Sequence, residues 1–135
     1  MAKLVLVVDD SPLFLKAYDA ALASYPGEPV EVQHAGNGRE ALAKIALTPL
    51  LDLVILDVNM PVMDGPTFLG ELRREYASLD VPVVMSSTRA YATRQQLGPE
   101  AKVAAYMQKP FSPRELHAVL DALWRPSGRE AVRGG

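Results

Sequence analysis

Four short apolar runs of the chain lead to residues that could handle a metal ion or a phosphoryl group. Leu4-Val5-Leu6-Val7-Val8 runs into Asp9-Asp10, and Leu53-Val54-Ile55-Leu56 into Asp57. The run from Val81 to Met85 leads to Ser87, and that from Val103 to Met107 leads to Lys109. Clustered carboxylates repel one another and hold protons more tightly unless a cation neutralises them. Their oxygens suit a hard ion such as Mg²⁺, which keeps several waters and accepts phosphate oxygens. Beside such an ion Asp57 could attack phosphorus as a carboxylate nucleophile and form an acyl phosphate. The ion and Lys109 would supply positive charge to the transferring group, and Ser87 a hydrogen bond. Each residue alone has an ordinary use. An Asp-Asp pair turns or caps a helix, a serine after a strand is a turn residue, and a lysine is a solvated charge. Joint placement at the same end of each run is what points to a site.

That placement requires elements able to hold it. With the weaker run Val30 to Val32, the chain has five apolar runs. The first and third are nearly continuous Val, Leu and Ile, as expected of strands buried on both faces. The second alternates with Glu31 and Gln33 and suits a sheet edge. Between the runs apolar residues recur at three and four, as in Phe14, Ala17, Tyr18, Ala21, Leu22 and Tyr25. Ser11-Pro12 and Ser112-Pro113 each offer an N-cap with proline at the first helical position. The fourth helix, within Arg89 to Leu97, should stop early at Gly98-Pro99. Five strands alternating with helices call for an α/β domain with one parallel sheet and helices on both faces. In strand order 2-1-3-4-5 ligands bind beyond the carboxyl ends, where strands one and three are neighbours and the order reverses.

The chain has 135 residues, no cysteine and a net charge of −2, with both signs interspersed. Size and composition suit a single domain over residues 1–125, followed by a disordered tail over 126–135. No disulfide framework or thiolate metal site is possible. The charge argues weakly against nucleic-acid binding. The first apolar run is too short for a membrane span and lacks a signal-peptide cleavage site, so a soluble protein in a cytoplasmic setting is expected. His34 and His117 have no companion at metal-ligand spacing and read as surface or boundary residues.

Taken together the segments resemble the receiver domains of two-component response regulators, over about residues 3–125. Leu53 to Gly65 looks like that family's phosphoacceptor segment, and Val7-Val8-Asp9-Asp10-Ser11 like its acidic pair. Pro82 to Ser87 looks like the strand ending in a hydroxyl, and Tyr106-Met107-Gln108-Lys109-Pro110-Phe111 like the final strand with its lysine. Ala35 to Leu42 fits the entry to the second helix. The resemblance implies a flavodoxin-like, doubly wound (βα)5 fold of the stand-alone kind found among chemotaxis response regulators. It implies Asp57 as phosphoacceptor, Asp10 on Mg²⁺ or Mn²⁺ directly and Asp9 through water. Asn59 would offer its backbone carbonyl to the metal and its side chain towards the phosphoryl group or attacking water. Ser87 and Lys109 would contact the phosphoryl oxygens, and Lys109-Pro110 would be a cis peptide. Tyr106 would be an aromatic switch, turning inward as Ser87 moves to the phosphoryl group.

The implied protein is a signalling switch of a two-component system or phosphorelay. Its only chemistry would be metal-dependent self-phosphorylation and self-dephosphorylation at Asp57. The implied partners are a sensor histidine kinase or phosphotransfer protein and an unidentified downstream protein, with no nucleic acid and no membrane. The protein would be a monomer or weak dimer, and the output face would comprise the fourth helix, fifth strand and fifth helix. No output domain is expected after the receiver.

Two features depart from the family's pattern. Thr88 stands where alanine or glycine is usual, and its β-branch is expected to narrow access to Asp57 and slow phosphate gain or loss relative to Thr88→Ala. Gly98-Pro99 falls where the fourth helix usually continues. Three other readings are weaker. A haloacid-dehalogenase-type phosphohydrolase needs a second aspartate two places after the nucleophile, where Asn59 stands. A flavin-binding module needs a phosphate-cradling loop where Asp9-Asp10 would repel phosphate. A phosphate-independent interaction module has no use for the acidic set.

Overall fold

The computed structural model describes residues 2–59, 63–75 and 80–124. The tail expected at 126–135 and the Met60-Pro61-Val62 stretch after Asp57 lie outside the described residues.

Along the first strand, β1 (Lys3–Val8), buried side chains alternate between two cores. Val5 and Val7 join one cluster, Leu6 and Val8 the other. A strand enclosed on both faces has no polar side, which is why its sequence is an unbroken apolar run. The next elements are α1 (Pro12–Ala23), β2 (Val30–Ala35), α2 (Gly38–Ala46), β3 (Leu53–Asp57) and α3 (Gly65–Glu75). Then come β4 (Val83–Ser87), α4 (Ala90–Leu97), a short 3₁₀ turn (Pro99–Ala101), β5 (Ala105–Gln108) and α5 (Pro113–Trp124). The strands form one sheet in the order β2-β1-β3-β4-β5, with every neighbouring pair parallel. The expected α/β architecture and strand order are therefore observed, with β2 at an edge.

One core lies between the sheet and α1 and α5, built on Val5, Val7, Ile55 and Val84 with Tyr18, Leu22, Leu116 and Leu120. The other lies beneath α2 and α3, built on Leu6, Val8, Val54, Leu56 and Met85 with Ile45, Phe68 and Leu72. Each fully enclosed large apolar side chain contributes about 1.5–3 kcal/mol relative to exposure, so these two cores hold the sheet rigid beneath the site.

The starts of α1, α2, α3 and α5 are set by side chains. Ser11 Oγ accepts the Phe14 N–H at 3.3 Å, with Pro12 in the first turn. At α2, Asn37 Oδ1 accepts the Glu40 N–H while the Glu40 carboxylate accepts the Gly36 N–H; at α5, Ser112 and Glu115 form a reciprocal capping box. Asp64 accepts the Thr67 N–H at the start of α3.

Two elements begin later than the apolar runs suggested. β4 starts at Val83, because Pro82 has no N–H to give the ladder. β5 starts at Ala105, after Lys102 takes a left-handed conformation at φ 55°. β2 extends beyond its apolar run to Ala35. α4 ends at Leu97, and Gly98 at φ 72° turns the chain into the 3₁₀ turn, so Gly98-Pro99 stops the helix as its chemistry requires.

His34 Nε2 lies 2.7 Å from Asp19 Oδ1. His117 Nε2 lies 2.7 Å from the Ala21 carbonyl. Each histidine ties α1 to a neighbouring element. Among the described residues no helix is long and apolar enough to cross a membrane.

Candidate functional site

Strand parity decides which side chains meet. In β3, Leu53 and Ile55 face the α1/α5 core. Side chains alternate along a strand, so Asp57 faces the same way at the strand's carboxyl end. Asp9 continues the Val5-Val7 series of β1, and Lys109 continues the side of Met107. Asp9 and Asp57 stand one residue past their apolar runs and Lys109 two past its own, where backbone pairing still fixes them. The Asp9 N–H reaches the Ala35 carbonyl at 3.0 Å, and the Lys109 N–H reaches the Ser87 carbonyl at 2.8 Å.

The three carboxylates converge: Asp9, Asp10 and Asp57 each offer an oxygen within 4.8 Å of the others. Lys109 bridges two of them, with Nζ 2.6 Å from Asp9 Oδ2 and 3.0 Å from Asp57 Oδ1. Its ammonium also sits 4.1 Å from the centre of the Phe14 ring. Asp9, Asp57 and Lys109 are buried, and Asp10 is exposed at the mouth. Asp9 Oδ1 accepts the Ser11 N–H at 2.9 Å, so Asp9 shapes the turn as well as facing the site. Because Ser11 supplies the side-chain cap of α1, neither aspartate is consumed by capping.

One ammonium among three carboxylates leaves negative charge uncancelled. Burial pushes the Asp57 carboxyl above the usual carboxylate range; the Lys109 hydrogen bond and charge pull it back, and the Asp9 charge adds to the rise. The donor set is all oxygen, with one carboxylate open to solvent. That fits a hydrated divalent ion such as Mg²⁺ and excludes a thiolate- or imidazole-type site.

Ser87 faces the other side of the sheet. It follows Met85 in parity, and its Oγ accepts the Arg89 N–H at 2.9 Å and lies 3.1 Å from Thr93 Oγ1 on α4. Thr88, next to it, is exposed, and its carbonyl accepts from Gln108 Nε2 at 2.6 Å. Asn59 is exposed two places beyond Asp57, and its backbone N–H helps hold the Asp57 carboxyl down. Tyr106 is half-buried beside Arg94, whose guanidinium lies 5.8 Å from the ring centre. The Tyr106 hydroxyl is enclosed and has no hydrogen-bond partner among the described residues. Burial raises the phenol's pKa and the Arg94 charge opposes the rise. No hydrogen bond links Tyr106 to Ser87 among the described residues. Lys109-Pro110 is cis.

A family model for the response regulator receiver domain matches residues 5–121. The chain belongs to the response regulator receiver domain family. It is 38% identical over 129 residues to the alkaline phosphatase synthesis transcriptional regulatory protein PhoP of Bacillus subtilis, covering 94% of this chain and 50% of that protein. It is 33% identical over 132 residues to the phosphate regulon transcriptional regulatory protein PhoB of Escherichia coli, covering 98% of this chain and 56% of that one. This receiver thus spans about half the length of those curated relatives. Among solved structures it resembles the chemotaxis response regulator CheY4 of Vibrio cholerae, with a TM-score of 0.78 and 33% identity over 91% of this chain and 99% of that one.

Four residues of the receiver's site were not singled out in the sequence. Phe14 and Tyr18 read only as members of the α1 apolar stripe, yet Phe14 lies against the Lys109 ammonium. The Tyr18 phenol is enclosed near Asp9 and Asp57, its pKa raised chiefly by burial and lowered by the neighbouring Ser86 hydroxyl. That neighbour falls short of hydrogen-bond geometry, so both hydroxyls lack partners among the described residues. Thr93 carried no signal, being one polar residue in a polar helix. Gly65 carried one, the Asp-Gly before an amphipathic segment: a Cβ there would lie 2.6 Å from the Asp57 carbonyl oxygen.

Proposed function

We propose that the chain is a phosphorylation switch in which Asp57 accepts a phosphoryl group from a sensor histidine kinase or phosphotransfer protein. The observation that carries this is the convergence of Asp9, Asp10 and Asp57 with Lys109 spanning two of them. An Asp57 oxygen forms a bond to phosphorus as the bond between phosphorus and the donor breaks, and the donor leaves with that electron pair. Asp9, Asp10, Asp57 and the Asn59 backbone carbonyl would hold Mg²⁺ or Mn²⁺, which supplies positive charge to the transferring oxygens. Lys109 moves part of its hydrogen bonding from the two carboxylates to a phosphoryl oxygen, and Ser87 donates to another. Asn59 faces the water that later attacks phosphorus. Self-phosphorylation from small donors and self-dephosphorylation are the only chemistry assigned.

The receiver is taken to span residues 1–125. Tyr106 and Ser87 report the change to the face formed by α4, β5 and α5, where an unidentified downstream protein docks. A cytoplasmic setting and a monomeric or weakly dimeric state complete the reading. The test is incubation of the chain with Mg²⁺ and acetyl phosphate, followed by intact-mass measurement. Wild type should gain one acid-stable, base-labile phosphoryl group and Asp57→Ala none; equal uptake by both would overturn the assignment.

A further inference from the structure

Two hydroxyls meet at the start of α4 in a way that the switch chemistry does not need. Thr93 is buried, and its Oγ1 lies 3.1 Å from Ser87 Oγ and 3.0 Å from the Arg89 carbonyl oxygen. Ser87 Oγ also accepts the Arg89 N–H at 2.9 Å. Each hydroxyl carries one proton. The arrangement that satisfies every group is a closed ring. The Arg89 N–H donates to Ser87, Ser87 donates to Thr93, and Thr93 donates to the Arg89 carbonyl. In that ring the single proton of Ser87 is committed to α4.

The start of α4 has few other restraints. Arg89 makes no side-chain cap, and the Ala90 N–H is held instead by Gln108 Oε1 at 3.0 Å. Thr93 is α4's one buried residue among those described. Ser87 on β4 and Thr93 on α4 are therefore a direct side-chain link between the phosphoryl-facing strand and the first turn of the helix.

We propose that Thr93 is a positioning residue that latches the Ser87 hydroxyl to α4 and so sets the threshold of the switch. This rests on the reading of Ser87 as a donor to the phosphoryl group on Asp57. To donate there, Ser87 must withdraw its proton from Thr93. The contact exists only in the resting arrangement, so its loss weighs against the phosphorylated one. An ion or modification that recruits Ser87 must overcome it. Removing the Thr93 hydroxyl while keeping the shape of the side chain should shift the balance towards the active arrangement.

The experiment is calorimetric titration of the full chain with beryllofluoride at saturating Mg²⁺. A hydrogen bond of ordinary net strength corresponds to about a three- to tenfold change in dissociation constant. Thr93→Val should bind beryllofluoride tighter by about that factor, and Thr93→Ser, which keeps the hydroxyl, should bind within about twofold of wild type. In a Ser87→Ala background, Thr93→Val should have no effect, whereas a mere loosening of α4 would persist there. Should Thr93→Val not fold, Thr93→Ala gives the same comparison. Wild-type-like or weaker binding by the hydroxyl-less variant would overturn the latch, as would an unchanged ratio without the Ser87 hydroxyl. Failure of wild type to bind beryllofluoride at all would overturn the underlying reading of the site together with the latch.

Discussion

Replacing Lys109 with methionine isolates the electrostatics of the site. Methionine keeps most of the stem that packs beside Phe14 and removes the ammonium that spans Asp9 and Asp57. Lys109 and both partners are buried, with Lys109 5% and Asp9 1% exposed. Breaking a buried ion pair from one side costs about 3–5 kcal/mol, because the remaining charge is left without compensation. The triad opens to solvent on the side of Asp10, so the low end applies, about 3 kcal/mol. For a domain of this size that corresponds to a fall in Tm of about 10–15 °C. The same change should strengthen the response to Mg²⁺, since the carboxylates then have no internal cation to share. Mg²⁺ above both Kd values stabilises each protein, so the gap narrows by the difference in affinity, about 1.4 kcal/mol for each tenfold gain in the variant. Urea denaturation of both proteins, followed by circular dichroism in EDTA and again in excess Mg²⁺, gives the two differences directly. The reasoning fails if Lys109→Met matches wild type in EDTA, or if Mg²⁺ leaves the gap unchanged or widens it.

Two further outcomes follow from the titratable groups near the site. Burial raises the Asp57 carboxyl in the folded chain, so between the unfolded carboxylate pKa and the raised one the native state holds more protons than the unfolded state. Metal-free stability should therefore fall as pH rises through that window. Asp57→Asn should remove this part of the fall and be more stable than wild type above the window; Tm curves in EDTA from about pH 4 to 8 that run parallel for the two proteins would contradict it. The Tyr18 hydroxyl is enclosed without a hydrogen bond among the described residues, so Tyr18→Phe should be neutral or stabilising by up to about 1 kcal/mol in urea denaturation. A clear loss of stability would show that the phenol has a partner.

Much of this arrangement was legible in the order of residues along the chain. The unbroken run from Leu4 to Val8 specifies a strand enclosed on both faces, and Ser11-Pro12 specifies where the next helix begins. Asp9, Asp10 and Asp57 could be grouped because parallel strands deliver their carboxyl ends to one side of a sheet. What stayed hidden were contacts that depend on which way a helix presents its side chains across space. Phe14 and Lys109 are distant in sequence, and only the packing of α1 against the end of β5 brings ring and ammonium together. Thr93 meets Ser87 only because α4 buries it against the end of β4. β4 and β5 start later than their apolar runs because apolar character does not register a proline without a donor, or a lysine turned left-handed.

Because adjacent residues of a strand point in opposite directions, the sheet acts as a wall between two rooms. Asp57 and Lys109 open towards α1 and α5, whereas Ser87 opens towards α4. On the proposed reading, the phosphoryl group is made on one side of the wall and felt on the other through a single serine. Substitutions lining the first room can retune how fast the group comes and goes, while those lining the second can change what its arrival means to a listener. A lineage could thus exchange audiences without rebuilding the chemistry.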